Sequence, residues 1–240
     1  MPGIAGIITR HPRAWAEPQL ARMVEEMRHE SFYRTGTCID ESLGIYSGWT
    51  ALKNSLGDSM PVANERGDIS LIFSGEEYSG SRSGERPASC LAQRAESERN
   101  FPASLNGMFH GLLLDRRRGT ATLFNDRYGM HRLYYHQSKD AFYFAGEAKA
   151  ILAVCPELRT PSPQGLGEFV AVSCVLENRT IFRDIQVLPA ASAWTFRDGA
   201  LEQKRAYFDP REWESQSALD SESYYQELRQ ALAGTLPNYF

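Results

Sequence analysis

Several features are scarce in this chain of 240 residues, and each scarcity excludes a class of protein. There is no run of about 18 apolar residues, so the sequence predicts no membrane-spanning helix and no membrane partner. The start lacks the charged and apolar segments of a secretory signal, so we expect a cytoplasmic protein. Basic and acidic residues number 26 and 30, and neither sign forms a long run, so no nucleic-acid partner is predicted.

Residues that bind metals or form disulfides are also few. The four cysteines, Cys38, Cys90, Cys155 and Cys174, have neither metal-binding spacing nor the density of a disulfide framework. We therefore expect reduced, mainly structural thiols. The five histidines show no metal-binding pattern either, so the sequence predicts no metal site and histidines that lie at the surface or pack structurally.

Short apolar runs and turn residues define most of the predicted elements. Apolar runs predict strands at residues 3–9, 43–49, 69–73, 108–115, 121–125, 133–136, 142–145 and 193–196. Helical spacing of Leu20, Met23, Val24 and Met27 predicts a helix with Pro18 in its first turn. Helices are also predicted at residues 147–154 and 164–172, and a polar one within 79–100. Strands in blocks, without alternating helices, indicate an α+β fold with mainly antiparallel sheets.

Two further segments carry specific expectations. The arginines at 116–118 precede Gly119 between two apolar runs, which predicts a solvated turn. Beyond residue 210 the composition becomes polar and acidic, which predicts a linker. Asp220 or Ser221 then caps a last helix, whose apolar face we expect a partner domain to cover.

The chain begins Met-Pro-Gly-Ile-Ala-Gly-Ile at residues 1–7. This segment and several later ones resemble class II glutamine amidotransferases, above all the asparagine synthetase B family, which has a cysteine in second place. Residues 71–78 resemble the family segment that ends Asn-Gly-Glu-Ile-Tyr, and residues 105–109 resemble Asn-Gly-x-Phe. Residues 125–135 match the Arg-Asp-Arg-Phe-Gly…Leu-Tyr-Tyr hairpin, and residues 144–150 resemble Phe-Ala-Ser-Glu-x-Lys-Ala. Residues 179–207 resemble the stretch that leads into the family's second domain.

The resemblance implies a fold and a domain organisation. It implies an N-terminal nucleophile hydrolase-like, four-layer αββα sandwich for a glutaminase-like domain at residues 1–210. Residues 211–240 would be the linker and first helix of a synthetase domain that is missing or separate. The Ser-Gly-Gly-x-Asp-Ser loop that binds ATP in that domain does not occur in these residues. We therefore expect no cofactor in this chain, with ATP and Mg confined to the absent domain.

The family's catalytic residues are largely replaced in this sequence. The family reaction uses a cysteine nucleophile, an oxyanion-stabilising asparagine, an arginine that grips the substrate carboxylate and an acidic residue. Pro2 occupies the nucleophile position, and Ser74 replaces the asparagine although Gly75 and Glu76 follow it. Trp49 lies where the arginine segment belongs. Glu85 is the nearest candidate for the acidic residue.

These replacements predict a degenerate substrate pocket at Trp49, Ser74, Gly75 and Glu76, with no catalytic residue. The expected function is a scaffold for the synthetase domain, or for a separate synthetase chain, of an ATP-dependent amide-forming enzyme; a homodimer is a further possible assembly. One alternative is a ligand- or protein-binding module that reuses the old glutamine pocket. Another is an enzyme in which the secondary amine of Pro2 acts as a general base.

Overall fold

Two six-stranded antiparallel sheets form the centre of the computed structural model, which describes residues 2–78, 89–99 and 101–238. In chain order the strands are β1 (Gly3–Thr9), β2 (Arg34–Asp40), β3 (Ile45–Ala51), β4 (Val62–Ala63), β5 (Ile69–Glu77), β6 (Gly107–Asp115), β7 (Thr120–Asn125), β8 (Tyr134–Gln137), β9 (Ala141–Ala145), β10 (Gln186–Val187), β11 (Ser192–Arg197) and β12 (Ala200–Ala206). The first sheet has the order β10-β8-β9-β1-β3-β2 and the second β12-β11-β7-β6-β5-β4. The helices are α1 (Arg13–Met27), α2 (Ser89–Ser97), α3 (Ala148–Val154), α4 (Pro163–Val172) and α5 (Ser221–Thr235).

Alternation of side chains along the strands separates the layers. On β1, Ile4 and Ile8 face the second sheet, whereas Ala5 and Ile7 face α1 and α3. The two sheets meet through aromatic contacts such as Phe142 with Trp194, whose ring centroids are 6.1 Å apart. The first sheet is therefore buried on both faces, which explains the continuous apolar run of β1.

The outer face of the second sheet is covered by α2 and by the segment that follows it. Phe101 contacts Phe124 of β7 at a centroid separation of 5.4 Å, and α2 packs on β4 and β5. Helices thus lie outside both sheets, in the order α, β, β, α. The α+β, four-layer fold predicted from the sequence is confirmed.

The first helix begins earlier than predicted. It starts at Arg13 after Pro12, so Pro18 is its sixth residue and lies in the helix interior rather than in the first turn. The predicted apolar face is correct, because Leu20, Met23, Val24 and Met27 are all buried. Burial of that face stabilises the helix despite the hydrogen bond that Pro18 cannot donate.

Four strands have no counterpart in the sequence prediction. They are β2, β4, β10 and β12, and each forms one edge of a sheet. Their residues are mostly exposed or half-buried, so none carries the apolar pattern that marks a buried strand. Backbone pairing with β3, β5, β8 and β11 holds them in place. Elsewhere the predicted strands agree with the structure within a few residues.

The arginine run closes the hairpin between β6 and β7, as predicted. Residues 116–119 form the turn, and the Arg116 guanidinium donates to Asp40 at 2.7 Å while Arg117 pairs with Asp115 at 3.0 Å. Burial would raise the pKa of Asp115, but hydrogen bonds from Arg117 and the Arg118 amide outweigh it and lower that pKa.

The last helix begins where its cap predicts. Asp220 accepts hydrogen bonds from the amides of Glu222 and Ser223 at 3.0 and 3.1 Å. The side chains of Tyr224, Leu228 and Leu232 are exposed, at 57%, 42% and 50%. The domain boundary at residue 210 stays a prediction. Among the described residues, no helix has the length and apolar character needed to cross a membrane.

Candidate functional site

Pro2 lies at the wall of an open cavity of about 640 Å³, which we call the Pro2 cavity. Because β1 pairs with both β3 and β9, its N-terminal end is held in the middle of the first sheet. The cavity is lined by residues from the start of β1, from β6, from the β7–β8 connection and from the start of α3: Pro2, His110, Met130, His131, Arg132, Tyr134, Gly146, Glu147, Ala148 and Lys149.

Two stacked histidines form one wall of this cavity. The rings of His110 and His131 have centroids 4.2 Å apart at an angle of 33°. His110 is fully buried on β6, and its ring packs against the backbone of Gly3 and Gly146. A Cβ at either glycine would lie within 3.7 Å of the imidazole, at ordinary van der Waals contact, so the ring packs closely against this part of the backbone.

Hydrogen bonds define the tautomer of His110. Its Nε2 accepts from the amide of Ile4 at 3.3 Å, so the proton resides on Nδ1. Nδ1 then donates to the carbonyl oxygen of His131, also at 3.3 Å. Burial, and after it the charge of His131, lower the pKa of His110 well below its ordinary value. The ring is therefore neutral and structural at physiological pH.

Asp126 positions the second histidine. This buried carboxylate accepts hydrogen bonds from the amides of Tyr128, Met130 and His131, at 3.1, 2.9 and 2.9 Å. These hydrogen bonds fix the turn at residues 126–129. Burial lowers the pKa of His131, although the nearby carboxylates of Asp126 and Glu76 oppose the shift.

Ser74 reaches this stack from the neighbouring strand. Its Oγ lies 3.3 Å from Nε2 of His131, and Ser74 faces His110 across the β5–β6 pair. A serine beside a neutral imidazole can in principle act as a nucleophile. Ser74 is 4% exposed, however, and does not line the Pro2 cavity. A substrate in that cavity would not reach its hydroxyl.

A second polar cluster includes two residues that line the cavity, Glu147 and Lys149. His29 Nε2 is 2.6 Å from Oε1 of Glu147, and Lys149 Nζ is 3.1 Å from His29 Nδ1. Lys149 can only donate, so Nδ1 accepts and Nε2–H donates to the carboxylate. Burial would raise the pKa of Glu147, but hydrogen bonds, His29's among them, outweigh it and lower that pKa. Glu147 is thus an ionised carboxylate that accepts a hydrogen bond from His29.

The residues predicted for the old glutamine pocket lie apart from this cavity. Trp49 is buried between the sheets, and its indole passes so close to Gly36 that a Cβ there would lie 2.2 Å from the ring. Gly75 has φ +118°, and Glu76 is exposed and accepts a hydrogen bond from the Tyr78 hydroxyl. None of these three residues lines the Pro2 cavity. Glu85 lies outside the described residues.

No thiol faces the Pro2 cavity. Burial raises the pKa of Cys38, and it raises the pKa of Cys155 to about 11, so both are protonated and unreactive at neutral pH. The described part of the chain brings together no group of histidines, cysteines and carboxylates able to hold a metal ion. The cavity therefore offers charges and hydrogen bonds without a thiol nucleophile.

The histidine stack and the Glu147 cluster were both missed by sequence reasoning. His29, His110 and His131 were expected to be surface or packing residues, and Glu147 and Lys149 to serve only as caps and turns. Glu147 is indeed the N-cap of α3, but its carboxylate makes no capping hydrogen bond and points to His29 instead. His29 and Glu147 are 118 residues apart, so no local sequence pattern indicates that they meet.

Comparison with known proteins identifies the fold. Residues 90–208 match the family model described as glutamine amidotransferase domain. No curated protein matches the chain. The solved structure of the allosteric regulatory enzyme of purine biosynthesis has a TM-score of 0.58 and 10% identity over 86% of this chain. Glutamine phosphoribosylpyrophosphate amidotransferase from B. subtilis, complexed with ADP and GMP, has a TM-score of 0.48 and 12% identity over 86% of this chain.

The chain spans 49% of the length of each of these two structures. The first of them, at 10% identity, supports the fold alone. The family model adds the type of domain, and its match extends from α2 to just beyond β12. The chain therefore has the N-terminal nucleophile hydrolase fold, and residues 90–208 are similar to a glutamine amidotransferase domain.

Proposed function

We propose that this domain has lost glutamine hydrolysis and acts as a scaffold for an asparagine synthetase-like, ATP-dependent amide-forming synthetase, in the same polypeptide or a separate one. One observation carries the proposal. Pro2 stands where the resembling family has its nucleophile, and among the residues that the structure describes no cysteine, serine or threonine lines the cavity beside it. Proline has neither a thiol nor a hydroxyl that could attack the amide of glutamine.

The size of the expected loss supports this proposal. Removal of the nucleophile from a well-studied hydrolase costs on the order of a millionfold in rate. Loss of a single oxyanion-hole donor costs roughly a hundred- to a thousandfold. Ser74 is turned toward His131 between the sheets, so its hydroxyl does not replace a side-chain amide at the cavity.

An exposed apolar surface supports the scaffold role. On α4 the side chains of Leu166, Phe169, Val170 and Val172 are 41%, 52%, 83% and 55% exposed, and they occupy adjacent positions around the helix. We call them the α4 patch. A contiguous apolar surface of this kind is typical of a protein interface. By contrast, the apolar face of α1 is fully used in the core.

The test is an amide-formation assay of this chain together with its synthetase. We expect ATP-dependent product to form from an amine or ammonia, and glutamine to add nothing to the rate. Glutamine-dependent product would contradict the proposal.

The docking step is tested with two variants. Val170→Asp should weaken association with the synthetase, whereas Leu52→Asp, a change at an isolated apolar residue with 44% exposure, should not. Equal association of both variants would contradict a role for the α4 patch.

A further inference from the structure

A second cavity adjoins the Pro2 cavity and shares its wall. This α4 cavity, of about 630 Å³, lies between α4, the β7–β8 connection and the segment before β10. Arg132, Tyr134 and Ala148 line both cavities. The two cavities therefore meet at these three residues and form one groove.

Arg132 is the uncompensated charge of this groove. Within the described ranges its exposed guanidinium has no hydrogen bond or ion pair. The other charged groups are balanced locally. Glu147 lies beside His29 and Lys149, and Arg179 is held by Glu168 at 2.6 Å and by Glu177 at 2.5 Å. A free guanidinium presents a planar fork of N–H donors that matches a carboxylate.

The walls of the groove differ on the two sides of Arg132. Toward Pro2 they carry the ionised carboxylate of Glu147 and the polar edge of the histidine stack. Toward α4 they carry the apolar surfaces of Phe169 and Ile181. The hydroxyl of Tyr134, at the junction, has no hydrogen-bond partner in the described part of the chain. An anion at the junction would thus meet a cation and a free hydroxyl, with an apolar surface on one side.

We propose that this groove binds a small-molecule carboxylate with an apolar body. The carboxylate pairs with Arg132 and accepts from the Tyr134 hydroxyl. The apolar body lies in the α4 cavity, because Phe169 and Ile181 provide an apolar surface on that side of Arg132. The site is distinct from the predicted glutamine pocket and does not rest on the scaffold role.

The test uses phenylacetate as the probe and its neutral isostere phenylacetamide as the comparison. The full chain is titrated with each compound and binding is followed by ligand-observed NMR. We expect phenylacetate to bind and phenylacetamide to bind at least about tenfold more weakly, because the charge-assisted pair is lost. Equal binding of the two compounds, or no binding of phenylacetate up to about 10 mM, would overturn the proposal.

Two variants locate the site. Arg132→Met should weaken phenylacetate binding by about 10- to 100-fold, and Arg132 has no partner whose loss would disturb folding. Ala148→Asp places a negative charge on the shared wall at the start of α3, where an acidic residue suits the helix, and should weaken binding similarly. The control is Arg159→Met, an exposed arginine outside both cavities. Unchanged affinity in either groove variant, or an equal loss in the control, would overturn the assignment.

Discussion

Burial of His110 should make the stability of this protein depend on pH in a defined direction. The ring is fully buried, and burial together with His131 lowers its pKa well below the ordinary value. The unfolded chain therefore binds a proton at a higher pH than the folded chain does. Between the two pKa values the unfolded state carries more protons, so the free energy of unfolding rises with pH. The stabilisation is complete above the unfolded pKa and decreases as pH falls.

The magnitude follows from linkage. With an unfolded pKa of about 6.5, the contribution of His110 to the free energy of unfolding should fall by at most about 1.4 kcal/mol between pH 7.5 and pH 5.5. The folded ring resists protonation because burial, and after it the charge of His131, lower its pKa well below the ordinary value. Protonation would also remove the acceptor at Nε2 that bonds the Ile4 amide.

The assay is urea unfolding followed by tryptophan fluorescence at several pH values from 5.5 to 7.5. His110→Gln keeps a neutral polar side chain, and the slope of stability against pH should decrease by the amount given above. His136→Gln, at a partly exposed ring on β8, is the control for loss of a histidine elsewhere. A slope that is the same in wild type and His110→Gln would refute the reasoning, whatever the absolute stability of the variant.

Three further predictions concern packing and caps. Asn125 is fully buried and bonds the carbonyls of Leu188 and Pro189 and the amide of Ser192, so Asn125→Leu should lower the free energy of unfolding by about 2–4 kcal/mol in chemical denaturation. A Cβ at Gly6 would lie 2.7 Å from a backbone oxygen, so Gly6→Ala should lower the free energy of unfolding by about 1–3 kcal/mol. Gly167 lies on an open helix surface, so Gly167→Ala should raise the free energy of unfolding by about 0.5–1 kcal/mol. Asp220→Ala should speed amide exchange about fivefold in the first turn of α5 and leave β6 unchanged, because it removes a cap worth about 1 kcal/mol. Denaturation midpoints that do not separate the two glycine variants, or exchange that is unchanged in α5, would contradict these expectations.

Most of the fold could be predicted because local patterns of apolar residues indicate the buried strands and helices. Continuous apolar runs marked β1 and β5, and the spacing of Leu20, Met23, Val24 and Met27 marked the buried face of α1. The edge strands β2, β4, β10 and β12 were not predicted, because their stability comes from pairing with a neighbour and not from an apolar face. The start of α1 was misplaced because Pro18 suits a first turn by propensity, while burial of the helix decides its real extent.

The candidate site was harder to predict, since its parts come from distant segments. Pro2 was singled out from its position alone, and the structure places it at a cavity wall. The His110–His131 stack joins β6 to a turn held by Asp126 in the β7–β8 connection. The pairing of His29 with Glu147 joins the end of α1 to the start of α3. Such contacts follow from the packing of the layers, so the residues that make them have no regular spacing in the sequence that could reveal them.

Ammonia release from L-glutamine by the purified chain tests the central claim most directly. If Pro2 stands at the nucleophile position as proposed, with no thiol among the described residues that line the cavity, the rate should equal that of buffer alone. The assay needs an active class II amidotransferase as positive control, so that a rate a millionfold lower is recognised as absence. Saturable ammonia release, proportional to the concentration of this chain, would contradict the account of a domain without glutaminase activity.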